Sequence, residues 1–218
     1  METSITYEYL TALEFYVLMA AAGRNKWYGP VLEQKNLISS QEDLNRVLTS
    51  LYQKGDLDWE NKTAILPEKL KTAFANLKKA RTCIVLTRPE GTEYTVYVYP
   101  AGDNITEISV SSHDQDSFRI TDMTMTEWLG ELQGEELFSD PIEKPTDSIS
   151  QKQSVKDAAA ILELHDVMSG KLKQSLTVVD KGLYSVLVLE NGAKQTVSLC
   201  TKEEFEKILR SWAGKEKK

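Results

Sequence analysis

The chain is 218 residues long, 41% hydrophobic and 27% charged, with a formal net charge of −7. That length can bury enough surface to fold as one large or two small domains without disulfide or metal staples. The negative balance disfavours a phosphate backbone as the main ligand, and no apolar run approaches the roughly 20 residues of a bilayer span.

The opening Met1-Glu-Thr-Ser-Ile-Thr6 has no basic n-region and no apolar h-region, so no signal peptide is expected. Cys83 and Cys200 each sit in an apolar, strand-like run. Buried free thiols are expected there rather than a disulfide, which favours a cytoplasmic location.

Leu10-Thr11-Ala-Leu-Glu14-Phe15 reads as a capping box with a hydrophobic staple, Thr11 being the N-cap and Glu14 the third helical position. A loop follows, with Trp27 and Tyr28 between Gly23 and Pro30. Ser40 caps a second helix running to about Lys54, whose Leu44, Val47, Leu48 and Leu51 recur at helical spacing. Gly55 stops it, a small hairpin is expected around Asn61, and Pro67 opens the next helix over 68–79. Helix, wing and helix over 40–66 give a winged-helix-like outline. Its bases, Arg46, Lys54 and Lys62, face Glu42, Asp43, Asp56, Asp58 and Glu60. A reader of phosphates is not built this way, so the outline is expected to serve packing.

Strands are expected over 82–87, 93–99, 105–111 and 118–121, with turns at 89–91 and 102–104. Tyr94, Tyr97 and Tyr99 are interleaved with Val96 and Val98. With the Trp27-Tyr28 loop they are the candidate partner-binding residues, because tyrosine and tryptophan supply contact area at little entropy cost. The same rings could instead cover the core between helix and sheet. The Thr-x-x-Glu-aromatic pattern returns at Thr124-Met-Thr-Glu127-Trp128. Seven acids against Lys144 then fill the stretch from Glu127 to Asp147.

Residues 138–153 are polar, carry Pro141 and Pro145, and read as a linker. A helix is expected over 154–168, then strands over 176–179, 183–189 and 195–199, with Asn191-Gly192 as a hairpin turn. Thr201-Lys-Glu-Glu204-Phe205 repeats the cap once more. Helix, antiparallel strands and stapled helix therefore occur twice. The expected class is α+β, a quasi-twofold fold with a central antiparallel sheet flanked by helices. Its first half spans 1–137 and its second 154–213, followed by a tail over 214–218.

His113-Asp114 and His165-Asp166 are similar to the pairs of His-Asp phosphohydrolases, but two scattered imidazoles cannot fill a catalytic metal shell. Gly-rich phosphate loops, serine elbows, CxxC pairs and His-Glu-x-x-His are all missing from the sequence. Cys83 would need a nearby histidine to act as a nucleophile, and Ile84, Val85 and Leu86 point to burial instead. No catalytic residue, metal or cofactor is expected.

Leu10-Thr11-Ala-Leu-Glu14-Phe15, Gly23, Pro30-Val31-Leu32, the helix ending Leu51-Tyr-Gln-Lys-Gly55-Asp-Leu57, and Leu66-Pro67-Glu-Lys-Leu70 together resemble EspG-type proteins. These are cytosolic chaperones of the type VII (ESX) secretion system. The resemblance implies a quasi-twofold α+β fold that grips secreted helical clients without catalysis. A monomer or weak homodimer with neither nucleic acid nor membrane insertion would follow. A winged-helix regulator and an unrecognised hydrolase remain the alternatives.

Overall fold

The structure, a computed structural model, describes residues 5–6, 10–24, 27–30, 40–60, 63–88, 94–110, 117–135, 137–138, 140–142 and 158–214. The hairpin tip at Asn61, the turn at 89–91, His113, residues 143–157 of the linker region and residues 215–218 of the tail lie outside these, as does the side chain of Tyr94.

Short strands β1 (Ile5–Thr6) and β2 (Leu10–Thr11) lead into α1 (Ala12–Ala21). Then come α2 (Gln41–Lys54), the hairpin of β3 (Asp58–Glu60) and β4 (Thr63–Ile65), and α3 (Glu68–Lys79). A run of β5 (Thr82–Arg88), β6 (Tyr94–Ala101), β7 (Asn104–Val110) and β8 (Ser117–Thr124) is closed by α4 (Met125–Gly134). A second run of β9 (Ala158–Asp166), β10 (Leu172–Asp180), β11 (Ser185–Asn191) and β12 (Lys194–Leu199) is closed by α5 (Lys202–Trp212).

All strands but β3 and β4 join one ten-stranded sheet, with every pairing antiparallel. Its order is β8-β7-β6-β5-β9-β10-β11-β12, and β1 and β2 both pair with β8 at that edge. The first strands of the two runs meet at the centre, from Thr82↔Asp166 to Thr87↔Ile161. Read outward from that pair, each side is a four-strand meander ending in a helix.

Both closing helices cover the same sheet face. Trp128 and Leu129 of α4 and Phe205 and Leu209 of α5 share one core with Ile84, Val98, Leu162 and Leu187. On the other face, α1, α2 and α3 bring Phe15, Leu51 and Phe74 onto Cys83, Val85, Tyr99 and Ile108. Alternation along the strands sorts side chains between these two cores. Among the described residues, no helix is long and apolar enough to cross a membrane.

The caps form largely as the sequence implies. Thr11 and Thr124 each accept from the amide of the glutamate three residues on, at 3.3 and 3.2 Å. Glu14 and Glu127 accept in return from the cap amides, at 2.8 and 2.7 Å. Thr201 accepts from Glu204 at 3.2 Å, but the Glu204 carboxylate pairs with Lys207. The third cap is thus half a box.

Two expectations are corrected. The segment expected to be a helix over 154–168 holds strand β9 over Ala158–Asp166, because it lies between β5 and β10 and pairs with both. Ala160, Leu162 and Leu164 point into one core, and Ala158 continues the buried alternation, a period of two that outweighs the helical preference of alanine. Phe138, expected in the linker, is buried and stacks on Phe205 with centroids 4.3 Å apart.

Candidate functional site

The loop after α1 is tied into the fold through Arg24, Trp27 and Tyr28. Arg24 donates to the carbonyls of Leu77, Lys78 and Ala80, satisfying groups that the end of α3 leaves open. Trp27 lies between Phe15 and Tyr99, each ring pair with centroids 5.0 Å apart. The Tyr99 hydroxyl donates to the Tyr28 carbonyl at 2.9 Å. The Tyr28 amide donates to the Val167 carbonyl at 2.7 Å, and its ring stacks on His165 at 4.4 Å. A Cβ on Gly29 would fall 2.1 Å from the Tyr99 oxygen, so only glycine fits this approach.

Of the two readings of these aromatics, contact surface or core cover, the structure places Trp27 and Tyr99 in the core. Tyr99 is wholly buried and Trp27 nearly so, because they fill the space between α1 and the sheet. Tyr28 and Tyr97 are half-buried against the same core, and Tyr94 belongs to β6. The structure thus brings Trp27, Tyr28 and Tyr99 together, but as packing.

His165, within the segment expected to be a helix, is a buried residue of β9. Its Nδ1 lies 3.1 Å from the Gly170 carbonyl and its Nε2 3.1 Å from a Glu163 oxygen. Among the described residues, no group of three or more His, Cys, Asp or Glu is placed to hold a metal ion. Cys83 and Cys200 are buried free thiols in the cores on opposite sheet faces. Burial pushes the Cys83 thiol far above its ordinary range, where the nucleophilic thiolate is suppressed.

Part of the acidic stretch has a structural counterpart. Glu107 of β7 is buried beneath α4, and burial together with Glu131 pushes its carboxyl up to about 7. Arg119, 4.0 Å away, and the Trp128 indole act against that shift. Glu14 is the opposite case. Burial alone would raise it, yet bonds from Lys54, Thr11 and Ser50 hold it below the ordinary carboxylate value. Of the bases of the helix–hairpin segment, Arg46 pairs with Asp43 and Lys54 with Glu14, while Lys62 lies outside the described residues; Lys69 of α3 pairs with Asp56.

Large apolar side chains reach the surface elsewhere. Tyr52, near the end of α2, is 60% exposed and Trp59, on β3, is 50% exposed. Met168 and Leu172 flank the β9–β10 turn, and Leu183 and Ile142 are joined by a 3.0 Å backbone bond. Sequence reading passed over Tyr52 and Trp59. The available signals were that Tyr52 falls outside the 44/47/48/51 stripe and that Trp59 sits on a three-residue strand flanked by acids.

No protein-family model matches this chain, and no curated protein matches it.

Proposed function

We propose that this protein is a non-enzymatic cytoplasmic chaperone or adaptor of the EspG kind, holding a helical client of a type VII-like secretion pathway. The observation that supports the reading is the pairing of β5 with β9, which sets two meander-plus-helix units side by side in one antiparallel sheet. That is the plan the resemblance in residues 10–75 implies. The client surface belongs on the α2–hairpin segment, where Tyr52 and Trp59 already stand outside the core. An aromatic anchor costs little entropy on binding and suits a helix laid across it.

Co-expression with each small helical protein encoded beside the gene, followed by size-exclusion chromatography, is the test. A client that co-elutes or gains solubility is expected. Trp59→Ala should then weaken the complex 10-fold or more, about 1.4 kcal/mol, with the melting temperature of the free protein unchanged. If no such client is retained, the chaperone reading fails.

A further inference from the structure

A cleft of about 550 Å³ opens at one end of the central strands, lined by the last turn of α3, the starts of β5 and β10, the end of β6 and the end of α5. Its size falls in the roughly 300–1,000 Å³ range of small-molecule sites. Three of its lining side chains are cations, Lys79, Arg81 and Lys173, and none is a carboxylate. In a chain of net charge −7 that is an inversion of the general balance. Lys173 is paired from outside the lining by Asp166 at 3.0 Å, while Lys79 and Arg81 make no ion pair among the described residues.

Like charges gathered around one volume repel, and a bound anion relieves that repulsion. Complementing a helix carboxyl end accounts for Lys79 at the end of α3, but Arg81 and Lys173 belong to the strand region. Lys79 ends α3, Arg81 lies in the link from α3 to β5, and Lys173 comes from β10, so the cations border the cleft from two separate stretches of chain. That arrangement suits a tetrahedral group with several charged oxygens better than a planar carboxylate, which one forked guanidinium can satisfy. Pro100, Ala101 and Trp212 supply an apolar wall beside them.

We propose that this cleft binds a small phosphate-bearing molecule, its phosphate shared by Lys79, Arg81 and Lys173 and its organic part lying along Pro100, Ala101 and Trp212. This site is independent of the client-holding reading. Lys79 and Arg81 are exposed, so replacing them leaves the core untouched.

The full-length protein is titrated calorimetrically with pyrophosphate, ADP and citrate at moderate ionic strength. Saturable binding of pyrophosphate or ADP with one site per chain is expected. Arg81→Glu and Lys79→Glu should each weaken it at least 10-fold, and the milder Arg81→Gln should weaken it in the same direction. Lys194→Glu, on exposed β12, should leave it unchanged. No saturable binding of either phosphate probe by the unmodified protein overturns the proposal. So does an equal loss in Lys194→Glu, or citrate binding as tightly as pyrophosphate.

Discussion

The unit β5–β8 with α4 and the unit β9–β12 with α5 share a plan but differ in what covers them. The first is sandwiched: α4 lies on one face and α1 to α3 on the other. Its central strand β5 accordingly buries Cys83, Ile84, Val85 and Leu86 in succession. The second has α5 on the shared face, and on the other a small cluster of Val179, Val186 and Val188 with Tyr184 and Val197. Its outer strand β12 is half exposed along its length. The closing helices differ too. Over α4, Glu131 and Glu135 neighbour buried Glu107, whereas α5 ends on Arg210 and Trp212 beside the cationic cleft. The same strand order thus tolerates two faces of burial or one, because each strand's alternation is answered by its own neighbours.

The largest expected effect tests whether the loop at 27–30 ties the sandwiched unit to the other. Trp27→Ala should cost about 3–5 kcal/mol in urea titration, as removal of a buried ring does. Unfolding should remain one transition, because Trp27 packs on Tyr99 of β6 while Tyr28 bonds to Val167 beyond β9. A cost below about 1 kcal/mol would place the ring outside the core.

Next is the acidic face of α4. The Glu107 carboxyl stands at about 7 when folded, above its ordinary 4.5, so between those values the folded protein holds a proton that the unfolded chain has lost. Its contribution is present below about pH 4.5 and declines as pH rises through about 7, by at most about 3 kcal/mol. Melting curves from pH 4.5 to 8 should show this decline in the unmodified protein relative to Glu107→Gln. Parallel curves would disprove it.

Gly29→Ala should cost about 1–3 kcal/mol through overpacking against the Tyr99 hydroxyl. A neutral result in thermal melting would mean that the loop moves freely off β6. Smallest is the comparison of caps. Thr124→Ala and Thr201→Ala should each cost about 1 kcal/mol, with Thr124 the larger because its box is reciprocal. The reverse order would break the link between reciprocity and stability.

Signals complete within a few residues were legible without coordinates. Thr11, Thr124 and Thr201 cap helices because the acceptor and the amide it satisfies lie three residues apart. Gly55 and Gly192 adopt left-handed backbone where a helix stops and a hairpin turns. The α+β class followed from counting such units. Of the proposed contact surface, the helix and hairpin were legible, but Tyr52 and Trp59 were not. Their exposure depends on which neighbours fail to cover them.

What tertiary structure decided was the state of residues whose local pattern fits two outcomes. Residues 158–166 combine helix-favouring alanine with alternation, and only the pairing of β9 with β5 on one side and β10 on the other selects the strand. Trp27 and Tyr99 read equally well as contact surface or core, and the packing of α1 onto β6 chose core. The cleft is decided the same way. Lys79, Arg81 and Lys173 carry no common motif in the chain, and converge because the sheet order brings the starts of β5 and β10 to the same end as α3 and α5. Local sequence determined the caps and turns because their partners are near neighbours. Burial and charge convergence were left to the fold, because they depend on residues that only the sheet brings within reach.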